Sequence, residues 1–333
     1  MSAVAEAMPD AAPPPHPEVL SVGRISVDLY CGEANAGWLQ ARTFTRAVGG
    51  SPTNVAVAAA RLGHRAAVYT NVGADPFGEV ALAELRAFGV DTSFIRTVAD
   101  ALTPLAFAVL DPPDEPRLHF RRSPPVPDLL LRAEDPAVSA AERVPLLWVS
   151  GGALSAEPSA STTELLLRSR SRRPHTVLDL DYRASFWRSR AEAAARIGAA
   201  VAHATVVVGN REECAIATGA ADPHEAARLL LGRGVELAVV KLGAGGVLMV
   251  DAERELLLPS QPIDVVCGLG AGDGFGGAIA HGLLKGWTHE RTVSFANAAG
   301  AIVASHLLCS DAMPAEDEVM DLMARSGQGR PWP

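Results

Sequence analysis

The stretch "CGLGAGDGFGGAIAHGLL", Cys267 to Leu284, sets five glycines and one aspartate, Asp273, within residues 270–277. An apolar helical pattern follows at once through Phe275, Ile279 and Leu283. A helix N-terminus carries unpaired N–H groups and about half a positive charge, and glycine lets an anion approach that backbone closely. The backbone N–H groups of this glycine-rich loop can therefore face an anion. Asp273 admits two readings. A carboxylate in a first helical turn is an ordinary cap. It is also what phosphoryl transfer to an alcohol needs, a base for the hydroxyl proton beside donors for the developing charge. Two rival motifs fit less well. Counted from Gly268 and from Gly270, G-x-G-x-x-G loses its third glycine to Asp273 and to Phe275. Gly277 and Gly282 have P-loop spacing, but Leu283 stands where Lys belongs.

Such a loop must be held by a scaffold, and the chain supplies one. Strands are predicted at 19–30, 66–73, 145–154, 176–182, 204–210 and 237–243, several continuously apolar, as in a parallel sheet covered on both faces. Helical patterns lie between them at 53–62, 77–88, 160–170, 190–200, 212–218 and 223–232. Longer ones follow at 272–286 and 290–306. The alternation predicts a layered α/β fold with a mostly parallel central sheet. Residues 31–47 and 101–125 break the rhythm with short alternating pieces, which predict a small antiparallel β lid, and a lid implies a ligand to enclose. One domain is expected over 19–325, with disordered tails at 1–18 and 326–333.

Bulk properties narrow the partners. The formal charge of −9 argues against nucleic acid and acidic membranes. Four cysteines, Cys31, Cys214, Cys267 and Cys309, form no C-x-x-C pair, so neither a disulfide framework nor a zinc site is expected, and a reducing cytoplasm fits. No apolar run approaches the ~20 residues of a membrane span, and the N-terminus lacks the basic and apolar regions of a signal peptide.

Five segments occur in order: "VGGSPTNVAVAAARLG" (48–63), "NVGADPFG" (71–78), "NREE" (210–213), "VVKLGAGGV" (239–247) and "GAGDGF" (270–275). As a set they resemble the ribokinase-like (PfkB) family of carbohydrate kinases over about residues 19–315. "VSGGALSAEPS" (149–159), "LDLDYRASFW" (178–187), "VVVGNREE" (206–213) and "CSDAMP" (309–314) are similar to a narrower branch. That branch uses ATP to phosphorylate the 6-hydroxyl of 2-deoxy-5-keto-D-gluconate in myo-inositol breakdown. The resemblance implies a ribokinase-like three-layer fold with ATP and Mg2+ as cofactors, a sugar acid as small-molecule substrate, and a homodimer through the lid.

It also implies roles. Asp273 becomes the catalytic base, and Gly270, Ala271 and Gly272 the anion hole. Asp28, at the end of the first predicted strand, accepts hydrogen bonds from sugar hydroxyls, with Gly49, Gly50 and Asn54 beside it; a turn aspartate, packing glycines and a capping Asn are the plain alternatives. Asn210 and Glu213 organise Mg–ATP, Glu213 through water on the metal, although N-x-x-E spacing equally makes a capping box. Lys241, Gly243, Gly246 and Asn297 fall on the nucleotide side, where a solvated lysine and a core amide are the rivals. Arg121 and Arg183 are candidates for the substrate carboxylate, with Arg122 as a neighbour. One departure stands out. The family's D-T-x-G-A-G-D reads here with Cys267 and Gly268, so the monovalent cation which that Asp and Thr help bind is not expected. Other readings are a kinase for 2-keto-3-deoxygluconate or fructose, which the arginines would discriminate, a sugar sensor, for which Asp273 has no use, and a nicotinamide dehydrogenase.

Overall fold

The computed structural model describes residues 16–33 and 36–326. The expectations for the tails therefore fall almost wholly outside the described residues. The chain runs β1 (Val19–Val22), β2 (Ser26–Cys31), β3 (Phe44–Gly49), α1 (Ser51–Arg61), β4 (Ala66–Gly73), α2 (Pro76–Ala87) and β5 (Ile95–Val98). Next come β6 (Leu105–Val109), β7 (Arg117–Arg121), α3 (Pro136–Ala141), β8 (Leu146–Ser150), α4 (Ser159–Arg170) and β9 (Thr176–Asp179). Then follow α5 (Arg190–Ala200), β10 (Val206–Asn210), α6 (Arg211–Thr218), α7 (Pro223–Gly232), β11 (Leu237–Lys241), β12 (Val247–Asp251) and β13 (Glu255–Leu258). The helices α8 (Ala271–Leu284), α9 (His289–Ala304) and α10 (Glu316–Arg325) close the order.

Strands β1, β4, β8 and β9 are buried along their whole length, as continuous Val/Leu/Ala runs demand when helices cover both faces. The main sheet has the order β13-β12-β11-β10-β9-β8-β1-β4-β5. From β11 to β5 the pairs are parallel, while β12 runs against β11 and β13 against β12. One face packs α1, α2, α8, α9 and α10, the other α3 to α7, so the predicted layering is present. No helix among the described residues is long and apolar enough to cross a membrane.

A second sheet, β3-β2-β6-β7, stands apart from the first. It corrects the reading of 19–30 as one strand. Gly23 adopts φ +140, a turn that L side chains rarely allow, and the chain leaves the main sheet there. Ser26–Cys31 then pairs with β3 and β6 instead. Asp28 accordingly projects from the second sheet, not from the end of a central strand. The small sheet also starts earlier than the predicted 31–47 and includes Val48 and Gly49. Sequence patterning missed β5, α3, α10 and the β12–β13 hairpin, whose tight turn is held by Asp251 accepting from the amides of Glu253 and Arg254.

Candidate active site

The parallel strands β9, β10 and β11 lie side by side and end together at Asp179, Asn210 and Lys241. Crevices at such carboxyl ends are where ligands sit in open α/β sheets. Just beyond β9, Asp181 accepts from the Ser150 hydroxyl at 2.8 Å, and Arg183 reaches Asp181 at 3.3 Å and Glu213 at 3.5 Å. Asp181 first, then Glu213 and Asp273, raise the pKa of the partly exposed Arg183 guanidinium. Asn210 and Glu213 form a true capping box: Asn210 N donates to Glu213 Oε2 at 2.7 Å and Glu213 N to Asn210 Oδ1 at 2.9 Å. The capping alternative is thus realised, and Glu213 faces the same cavity.

Opposite these ends sits the start of α8. Gly270 is its N-cap in the left-handed region, φ +83, and a Cβ there would lie 2.3 Å from Cys309 Sγ. Helical bonding begins with the amides of Asp273 and Gly274 to Gly270 O, so the amides of Ala271 and Gly272 precede the first turn. Asn54 Nδ2, one turn into α1, donates to Asp273 Oδ2 at 2.7 Å, and Ser310 Oγ donates to Asn54 Oδ1. Burial pushes the Asp273 carboxyl up to about 6, against the hydrogen bonds from Asn54 and Ser51. Burial raises Asp179 further, to about 7, opposed by Lys241.

The second sheet closes the cavity. Asp28 is 5% exposed and accepts from Ser26 Oγ at 2.7 Å, and Ser26 accepts from Arg24. A Cβ on Gly49 would fall 2.1 Å from the Asp28 carboxylate, and one on Gly50, at φ +104, 2.3 Å from Arg24 O. Asp28, Gly50, Asn54, Asp179, Asp181, Arg183, Glu213, Lys241 and Asp273 share one cavity with Arg24 and Ser51. Beside it runs a groove lined by Gly243, Gly246, Ile263, Val265, Ala271, Phe275 and Asn297, whose Nδ2 also donates to Pro259 O. Lys241, Gly268 and Gly272 line both spaces.

Arg121 does not join the others. Along β7 side chains alternate, and Leu118 and Phe120 face the cavity while His119 and Arg121 face a separate apolar hollow outside it. Arg122 is buried against Asp128 at 2.8 Å and lies 4.2 Å over the Phe186 ring. A register of G-x-G-x-x-G beyond the two counted in the sequence also exists, at Gly272, Gly274 and Gly277. All three lie inside α8, not in a strand-to-helix turn. Gly276 and Gly277 instead bring α8 against Trp148 and Ala58, since a Cβ would lie 2.8 and 2.2 Å away.

The profile of the pfkB family of carbohydrate kinases matches residues 16–316. The chain belongs to that family. It is 30% identical over 321 residues to the 5-dehydro-2-deoxygluconokinase of Geobacillus thermodenitrificans, covering 94% of this chain and 95% of the relative. A fructokinase from Xylella fastidiosa solved with bound ATP superposes at TM-score 0.82 with 26% identity, over 93% of this chain and 98% of the other. A ribokinase II from E. coli, solved with ATP and Mg2+, reaches 0.84 at 20% identity over 93% and 99%, a likeness of fold alone. The sheet-and-layer architecture above is the ribokinase-like fold.

Four polar side chains lining the cavity of this carbohydrate kinase escaped the sequence reading. Asp179 and Asp181 stood in "LDLDYR" beside the chosen Arg183, and carboxylates just after a buried apolar strand are a usable signal. Ser51 had none beyond its place after two glycines. Arg24 was hidden by the unbroken strand assigned over it.

Proposed function

We propose that this kinase transfers the γ-phosphoryl group of ATP to the 6-hydroxyl of 2-deoxy-5-keto-D-gluconate, with Asp273 as general base. The observation that carries the reading is the position of Asp273, at a helix N-terminus in a cavity rich in charged side chains, next to Gly272, which also borders a groove lined by glycines. The relatives named 5-dehydro-2-deoxygluconokinase support the acceptor. Asp28 and Asn54 bind sugar hydroxyls, with Gly49 and Gly50 leaving room for them. Arg183 and Arg24, not Arg121, face the acceptor carboxylate, since these two arginines line the cavity. The nucleotide lies over Gly243, Gly246 and Asn297, and the second sheet serves as the lid that excludes water.

Asp273 takes the hydroxyl proton as the oxygen bonds to the γ-phosphorus, the bond to the β-phosphate oxygen breaks with its electrons to ADP, and the amides of 270–272 stabilise the moving charge. Mg2+ supplies charge neutralisation on the phosphates. No group of three or more His, Cys, Asp or Glu able to hold a metal ion exists among the described residues. That fits an ion carried mainly by phosphate and water, with Asn210 and Glu213 as outer partners. Cys267 and Gly268 offer no side-chain oxygen, which supports a rate independent of potassium. A homodimer through the lid is supported by its outer side, where Trp38, Phe44, Phe77 and Leu102 are exposed around one hollow.

ADP release is measured with 2-deoxy-5-keto-D-gluconate, 2-keto-3-deoxygluconate, fructose and ribose in parallel. The first is expected to give the highest kcat/KM. Preference for another acceptor overturns the substrate, and silence on all of them overturns the reaction.

A further inference from the structure

Lys241 occupies a place that nucleotide binding alone does not explain. It ends β11 directly opposite Asn210 in register, and with Gly268 and Gly272 it borders both the cavity and the groove. Its ammonium lies 3.1 Å from where a Cβ on Gly272 would sit, so it overhangs the N-terminus of α8. Asp179, Glu213 and Asp273 hold it charged against the cost of burial. Yet its side chain makes no hydrogen bond or close ion pair with any described residue. A half-buried ammonium ringed by carboxylates but bonded to none has its donors free for an incoming anion.

The charge balance sharpens this. The cavity lining holds the carboxylates of Asp28, Asp179, Asp181, Glu213 and Asp273 against the cations Arg24, Arg183 and Lys241. A phosphoryl group crossing from groove to cavity moves toward that excess of negative charge. Of the cations, Arg183 is turned to Asp181 and Glu213, and Arg24 to Ser26 and the aromatic rings of Phe120 and Phe186. Among these cations Lys241 alone lines both spaces.

We infer that Lys241 is a catalytic residue of the transfer step: its ammonium bonds the equatorial oxygens of the phosphoryl group midway between ADP and the acceptor, and contributes little to holding the nucleotide beforehand. The inference rests on the phosphotransfer reading of the site. In the step, the acceptor oxygen–phosphorus bond forms, the phosphorus–oxygen bond to ADP breaks with its electron pair, and the hydroxyl proton passes to Asp273. Lys241 keeps its protons throughout.

The test is Lys241→Gln, with Lys241→Met in its place should melting curves show the Gln variant unfolded. Lys241→Arg is examined beside either. An interaction made only in the transition state lowers kcat without weakening ground-state binding, so kcat is expected to fall about a hundred- to a thousandfold while the Kd for Mg·ADP moves less than about threefold. Wild type is also expected to bind Mg·ADP with aluminium fluoride and acceptor more tightly than Mg·ADP, and the uncharged variant to lose that preference. Lys241→Arg is expected to recover part of the rate. An unchanged kcat with a raised KM for ATP overturns the inference, as does a retained preference for the fluoride complex. The comparison uses whichever acceptor wild type phosphorylates fastest, so a wrong acceptor leaves it intact.

Discussion

The two spaces that meet at Lys241, Gly268 and Gly272 are built differently. The cavity under the second sheet is made of charged side chains drawn from five separate stretches of chain, most of them held by a neighbour: Ser26 on Asp28, Asn54 on Asp273, Ser150 on Asp181, Arg183 on Glu213. The groove beyond it is mostly backbone and apolar surface, with Gly243, Gly246, Ile263, Val265 and Phe275. A groove of that kind suits a flat base and a phosphate chain common to many kinases, while the charged cavity selects one acceptor. Selectivity is therefore expected to fail on one side without the other.

The largest expected effect lies at Asp273, in the cavity. Asp273→Asn keeps the size and the contact with Asn54 but removes the base, and general-base catalysis is worth about a hundred- to ten-thousandfold. The same substitution tests burial. A carboxyl whose folded pKa is raised to about 6 from an ordinary 3.8 contributes most below 3.8, and that contribution is lost as pH rises through 6. Asp273→Asn is therefore expected to melt higher than wild type at pH 8 and to lose that advantage at pH 4. An equal melting temperature at pH 8 contradicts the desolvated carboxylate.

The comparison of the two sides is sharpened by arginines. Removing charge-assisted hydrogen bonds to a carboxylate costs about 1.5–3 kcal/mol, so Arg24→Ala is expected to raise the KM for the sugar acid about tenfold to a hundredfold and leave the KM for ATP unchanged. Arg121→Ala, facing outward, is expected to change neither. The reverse pattern would put the acceptor on the wrong side of β7. On the groove side, a Cβ at Gly246 would meet Leu258 O at 2.0 Å with φ at +90, so Gly246→Ala is expected to raise the KM for ATP and spare that of the acceptor. Steady-state kinetics with each substrate varied in turn separates the two.

The smallest effects come from pH. A base with a pKa of about 6 loses its proton-accepting form below that value, so kcat/KM is expected to fall about tenfold per pH unit under 6 and to level off above it. A flat profile from pH 5 to 8 contradicts Asp273 as the base. At the far end of α8, burial depresses His281 to about 4. A group depressed on folding contributes stability above its unfolded value near 6.5 that is lost as pH falls toward 4. Urea midpoints measured across that window are expected to drop less in His281→Gln than in wild type.

The sequence made the α8 loop, the capping box and most core strands legible because their signals are local: glycine clusters, N-x-x-E spacing and unbroken apolar runs. Legibility ended where a long-range pairing decides. Ser26–Cys31 reads as a continuation of Val19–Val22, and only its pairing with β3 and β6 takes it, and Asp28 with it, into the second sheet. Arg121 and Phe120 are adjacent letters, but which of them faces the cavity depends on strand register, a one-residue matter no composition reveals. The edge strand β13 was missed because it carries half-exposed alternation in place of an apolar run, whereas β12 is a buried apolar run, Val247–Val250, whose signal was present and not used.

The central assignment is tested most directly by kcat at saturating Mg·ATP and 2-deoxy-5-keto-D-gluconate, for wild type and Asp273→Asn, beside the Kd of each ligand measured by calorimetry. The expected result is a fall in kcat of about a hundredfold or more with both Kd values within about threefold of wild type. A variant that keeps most of its turnover, or one that loses it only through weakened binding, contradicts Asp273 as the base.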